Sequence, residues 1–293
     1  VNWVNIAAIM AAKKSLFDEF LRDYLSGFDK GSGLQSACAY SLSAGGKRLR
    51  PVLTMLACEA VGGAAEQALA AALAVEMIHT FSLIHDDLPA IDNDDMRRGM
   101  ATCHKAFGEA TAILAGDALI FQAFALIGSS GYGADVQMDL SRKMAENCGL
   151  RGLIEGEYAD IMAEGQDLRL EDIERIYWKK TGRLFELCLF AGGRVAGADR
   201  AQLTALEHFG AHLGLAFQAV DDILDVTSNV EALGKTPGKD ALQDKATIVK
   251  AVGLERAKAW AGQETARAVA ALDGFTNAGT LVDLAHELLD RVK

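Results

Sequence analysis

Apolar residues recur at three- and four-residue spacings through most of the chain, and alternation of period two is absent over any useful length. Leu16, Phe17, Phe20, Leu21 and Leu25 form one such stripe, and Leu203, Leu206, Phe209, Leu213 and Phe217 form another. That period buries one face of an α-helix and gives a strand no consistent face to bury. Three prolines among 293 residues, and only 7% aromatic residues, suit helices better than sheets. The expectation is an all-α bundle of about ten or more helices, most of roughly 10 to 25 residues. Breaks are expected near residues 30–33, 44–51, 62–65, 89–99, 128–133, 165–167, 192–199 and 226–238. Residues 69–87 and 110–127 are apolar nearly all round and read as central helices. No Pro/Ser-rich or charge-rich linker interrupts the middle of the chain, so residues 1–293 are expected to form one domain.

Twenty-nine basic against 40 acidic residues give a net charge of −11, which argues against nucleic acid or an anionic membrane as a partner held by net charge. Any anionic ligand must be met by local clusters. Cys38, Cys58, Cys103, Cys148 and Cys188 show no CxxC or Cys/His spacing, so buried free thiols are expected. The opening VNWVNIAAIMAAKK places its lysines after the apolar stretch, the wrong order for a signal peptide. Residues 112–128 are interrupted by Gly116, Asp117 and Gln122 and read as short of a membrane span. A cytoplasmic protein without a membrane partner is expected.

Chemistry concentrates in HTFSLIHDDLPAIDNDDMRRG, residues 79–99, where an apolar helix runs into five aspartates and two arginines. Helical spacing puts His79, Ser82, Leu83 and Asp86 on one face, and Pro89 then stops regular continuation. Asp92 therefore falls in the following turn, within reach of Asp86 and Asp87. Carboxylates forced together repel and raise one another's pKa unless a hard, oxygen-seeking cation joins them. In FQAVDDILD, Gln218, Asp221, Asp222 and Asp225 form a second acidic stripe, flanked by the core-like Ile223, Leu224 and Val226. Either cluster alone also fits a solvated acidic helix end. The basic counterpart is GGKRLRP, where a glycine pair precedes Lys47, Arg48 and Arg50, donors that suit a diphosphate. Arg97, Arg98, Lys180, Thr181, Lys235, Lys239 and Lys245 lie beside these motifs in sequence.

In order, GGKRLRP, EMIHTFSLIHDDLPAIDNDDMRRG, AGDAL, KTG, FQAVDDILD and LGKTPGKD resemble the marks of the short-chain trans-isoprenyl diphosphate synthases, over essentially the whole chain. The resemblance implies a helical, usually homodimeric fold with two aspartate motifs facing a deep central cavity. It implies magnesium, up to three ions, on Asp86, Asp87, Asp92, Asp221 and Asp225, holding an allylic diphosphate gripped also by Arg97, Lys180, Lys235 and Lys245. Isopentenyl diphosphate would lie on Lys47, Arg50, His79 and Arg98, with the Lys180 or Thr181 carbonyl, the Thr181 hydroxyl and Gln218 near the reacting carbon. Phe81, five residues before Asp86, would close the pocket at fifteen carbons, making farnesyl diphosphate the expected product and geranylgeranyl diphosphate the rival. A non-catalytic subunit of the same fold is a further alternative. Two departures stand out: Glu157 takes the place of a usual glutamine while Asp160 is kept, and ATIVKAVG follows Lys245 where an aromatic and a proline are common.

Overall fold

The computed structural model describes residues 6–227 and 245–292, which form fourteen α-helical segments and one minute hairpin. In chain order the helices are α1 (Ile6–Ser26), α2 (Gly33–Ser43), α3 (Leu49–Ala60), α4 (Leu69–Asp86), α5 (Cys103–Phe107), α6 (Glu109–Ser129) and α7 (Ala134–Cys148). They continue with α8 (Leu153–Ala163), α9 (Leu170–Tyr177), α10 (Arg183–Val195), α11 (Arg200–Thr227), α12 (Ile248–Val252), α13 (Leu254–Ala271) and α14 (Gly279–Asp290). Strands β1 (Met96–Arg97) and β2 (Met100–Ala101) pair antiparallel between α4 and α5.

The all-α expectation holds. As its sequence suggested, α4 is buried on nearly all sides, packing against α6, α3 and α10. Burial of Leu73, Met77, Ile78 and Phe81 there removes the apolar area of four large side chains from water, roughly 1.5–3 kcal/mol each. The main core runs from α1 through α4, α6 and α10, and a smaller cluster around Ile173, Tyr177, Val220, Ile248 and Trp260 ties α9, α11, α12 and α13. All five cysteines are buried free thiols, as expected.

Three differences from expectation have local causes. A break absent from the sequence reading falls at Gly149–Gly152, where a side chain at Gly152 would sit 1.7 Å from the Asn147 carbonyl oxygen. At Trp178–Gly182 the chain makes a π-turn, which side-chain periodicity does not announce. Helix α6, read as too interrupted for a membrane span, reaches the length and mean hydropathy (1.8) of one, as does the segment Ala65–Asp86 (1.5). The second segment is largely enclosed by protein, whereas α6 exposes Ile113, Leu114 and Phe121.

Candidate active site

The first aspartate motif begins where α4 ends. With Pro89 blocking continuation, the chain folds back: Asp92 N–H donates to the Asp86 carbonyl (2.8 Å) and Asp94 N–H to the Asp87 carbonyl (3.2 Å). Asp92 thus returns beside Asp86 and Asp87, as its spacing suggested. The chain then reverses through Arg98 (φ 53°) and Gly99 (φ 77°), a two-residue turn with both φ positive that suits a right-twisted hairpin. The reversal carries Arg97 back onto buried Asp87, with Nε–H donating to both carboxylate oxygens at 2.7 and 3.0 Å and Nη2 at 2.6 Å. Burial raises the Asp87 pKa and the Arg97 pairing opposes the rise.

Asp86 is pushed up to about 8, by burial first and then by the charge of Glu157, with Lys180 pulling the other way. Lys180 projects from the π-turn to Asp160 Oδ2 (2.6 Å) and Glu157 Oε2 (2.8 Å). Burial disfavours its charge, but Asp160, Glu157 and Asp86 together leave its pKa raised. The π-turn lies hard against α8, and a Cβ at Gly156 would stand 2.2 Å from the Lys180 backbone nitrogen. Lys245, just before α12, reaches Asp92 Oδ1 at 3.0 Å. Thr181 Oγ1–H donates to Gln218 Oε1 (3.1 Å).

The second motif does not present a uniform acidic stripe. Asp222 turns into the core, where it accepts from Gln218 Nε2 (3.1 Å), the Ile248 N–H (3.1 Å) and the Tyr177 hydroxyl. Asp221 lies 3.7 Å from the Arg291 guanidinium. Asp225 keeps one buried oxygen, Oδ2, that has no hydrogen-bond partner among the described residues.

On the basic side, Arg50 Nη1 stands 3.1 Å from His79 Nε2 and its guanidinium lies over the Phe185 ring, 5.2 Å from the centroid. Arg50 Nε is buried with no partner among the described residues. Burial, then the Arg50 charge, holds the His79 pKa well below its usual value. Neutral His79 accepts Arg50 on Nε2, which leaves its proton on Nδ1. Arg98 donates to the Gly45 carbonyl (2.7 Å), and Lys47 is exposed. Arg48 is not part of this rim, because its side chain turns inward to Asp18 and Glu76. Phe81 is buried one turn into α4, edge-on to His85 at 5.8 Å. Lys235 and Lys239 lie outside the described residues.

The chemistry of the donor set fits magnesium. Among the described residues no three Asp, Glu, His or Cys side chains already form a complete metal cage. Magnesium takes one or two carboxylates and completes its shell with water and substrate phosphates, so separate carboxylates around an open centre are the expected form. Asp86, whose neutral form is favoured, and an Asp225 oxygen without a partner among the described residues would both gain from such a cation.

Sequence reasoning did not anticipate the Tyr177–Asp222 contact, the clamp of Glu157 and Asp160 on Lys180, or the inward Arg48. None has a local signal beyond EGEYAD itself.

The polyprenyl synthetase family profile matches residues 32–279. A chloroplastic geranylgeranyl pyrophosphate synthase of Capsicum annuum is 47% identical over 263 residues, covering 88% of this chain and 71% of that one. A farnesyl diphosphate synthase of Micrococcus luteus is 46% identical over 227 residues, 78% of each chain. The crystal structure of a geranyltransferase from Helicobacter pylori, complexed with magnesium and isoprenyl diphosphate, superposes with a TM-score of 0.85 at 31% identity, over 99% of this chain and 97% of that one. Sequence, fold and the ordered acidic and basic groups agree, and the chain belongs to the polyprenyl synthetase family, the short-chain trans-prenyltransferases.

Proposed function

We propose that the protein condenses isopentenyl diphosphate head-to-tail with dimethylallyl and then geranyl diphosphate, in a magnesium-dependent reaction, to give (E,E)-farnesyl diphosphate. The observation that carries this reading is that the basic groups fall into two separate sets, only one of which rests on acidic side chains. Arg97, Lys180 and Lys245 contact the acidic residues Asp87, Asp160 and Asp92, whereas Arg50 and His79 form their own pair between α3 and α4. One diphosphate would need only one such set.

Magnesium on Asp86, Asp87, Asp92, Asp221 and Asp225 would neutralise the departing diphosphate. Lys180, Lys245 and Arg97 would grip the allylic diphosphate as its C–O bond breaks, exchanging part of their present carboxylate contacts for it, and Lys235 would join them. The Thr181 hydroxyl, the Lys180 and Thr181 carbonyls and Gln218 would turn their dipoles toward the allylic cation. Isopentenyl diphosphate would bind Lys47, Arg50, His79 and Arg98, the His79 Nδ1–H being free to donate. Its double bond attacks the cation to form the new C–C bond, and the proton lost from the adduct passes to the released diphosphate.

Phe81 would act as the floor of the chain pocket. It lies five residues before Asp86, roughly 7.5 Å along the helix and away from the metals. The exposed Ile113, Leu114 and Phe121 of α6 would be covered by a second copy of the chain.

The test is product length. Purified protein supplied with magnesium, isopentenyl diphosphate and dimethylallyl diphosphate should give a dominant C15 alcohol after dephosphorylation. A dominant C20 product from the unaltered protein would favour the geranylgeranyl reading and remove Phe81 from its role.

A further inference from the structure

The loop before α3 carries a buried ion cluster that the reaction itself does not use. Arg48 adopts a left-handed conformation (φ 52°, ψ 35°), which side chains other than glycine enter at a cost. Its side chain is only 2% exposed. Nε–H donates to Asp18 on α1 (3.0 Å), Nη1–H to Glu76 on α4 (2.7 Å) and Nη2–H to the Leu42 carbonyl at the end of α2 (2.7 Å). The guanidinium also lies 5.6 Å from the Phe17 ring centroid. One planar fork therefore joins α1, α2 and α4 to the entry of α3, a geometry a lysine ammonium does not reproduce.

Its neighbours in sequence face outward. Gly45 and Gly46 hold φ of 78° and 98°, and a Cβ at Gly46 would fall 2.8 Å from the Arg98 guanidinium carbon. Arg98 rests there and donates to the Gly45 carbonyl. Two residues after Arg48, Arg50 meets His79, three residues after Glu76 on the same helix. Arg48–Glu76 and Arg50–His79 are thus successive ties from the loop and the first turn of α3 to α4.

We propose that Arg48 is the positioning residue of the homoallylic diphosphate pocket: its buried clasp on Asp18, Glu76 and Leu42 fixes the glycine loop so that Lys47, Arg50 and Arg98 converge on isopentenyl diphosphate. The inference rests on the reading under Proposed function and adds that the two diphosphate pockets depend on different supports, because Arg48 touches none of the groups that face the allylic diphosphate.

Arg48→Lys keeps the charge and loses the fork. The double variant Arg48→Met with Glu76→Gln removes both buried charges together, so neither is left unpaired. Steady-state kinetics with isopentenyl and geranyl diphosphate varied separately should show KM for isopentenyl diphosphate raised about tenfold in both variants, with KM for geranyl diphosphate and kcat within about threefold of the unaltered protein. A folded variant whose two KM values are unchanged, or rise in proportion, overturns the positioning role, and a variant that loses melting temperature without that split shows Arg48 to be structural only. An unaltered protein that forms no product overturns the parent reading as well. Product from the unaltered protein separates the two failures.

Discussion

The two aspartate motifs share a composition and differ in how the fold treats them. The first is a turn closed on itself: Asp92 and Asp94 are drawn back by backbone hydrogen bonds, Asp87 is locked to Arg97, and Lys245 arrives from beyond α11 to meet Asp92. The second stays on a continuous 28-residue helix and divides its carboxylates between two tasks. Asp222 holds Tyr177 and the start of α12, while Asp221 lies near Arg291 and Asp225 keeps a buried oxygen with no hydrogen-bond partner among the described residues. A helix offers no fold-back, so it cannot gather its acids as a turn does. The first motif is therefore gathered by backbone hydrogen bonds of its own turn, whereas the second keeps its carboxylates spaced along a helix.

The largest expected effect breaks the first motif. Asp86→Asn should lower kcat by about three orders of magnitude with little change in melting temperature, since it removes a proposed cation ligand at a position that already disfavours charge. Next comes the division within the second motif. Asp221→Asn should cost about a hundredfold in kcat at unchanged stability. Asp222→Ala should instead destabilise the fold by about 3 kcal/mol, read by denaturant melting, because it strands the buried Tyr177 hydroxyl. Equal kinetic and stability losses in the two variants would erase the distinction drawn here.

A third prediction concerns the core below the first motif. Phe81→Ala should lengthen the product toward C20, seen by chromatography of the alcohols, and cost about 3 kcal/mol of stability as a cavity opens at a nearly fully buried position. The smallest effect comes from His79. Its pKa is depressed in the fold, so below the ordinary value of 6.5 the unfolded chain takes up a proton that the folded one refuses, and stability falls as pH drops. His79→Gln should flatten that part of the stability–pH curve between pH 6.5 and 5, while above 6.5 the two proteins should run parallel.

Much of this was legible in the sequence because it depends on local rules. Helical stripes gave the bundle, Pro89 gave the end of α4, and the spacing of Asp86, Asp87 and Asp92 gave the fold-back. What was hidden depends on partners distant in sequence. Asp222 reads like its neighbours until Tyr177 and Ile248, 45 and 26 residues away, claim it. Arg48 sits in a basic run and looks like a ligand group until Asp18 and Glu76 enclose it. The π-turn at Trp178–Gly182 leaves no trace in periodicity, because a single inserted residue shifts the register without changing residue type. Lys180 reads as a free cation in sequence, and only the packing of α8 against that turn reveals its two carboxylate partners.

The central claim is that two diphosphates are held at once and joined with the help of magnesium. The most direct measurement incubates the unaltered protein with isopentenyl diphosphate, geranyl diphosphate and magnesium, then omits each in turn and chromatographs the dephosphorylated products. A C15 alcohol is expected from the complete mixture and none from any omission; a complete mixture that yields no longer prenyl chain would contradict this reaction.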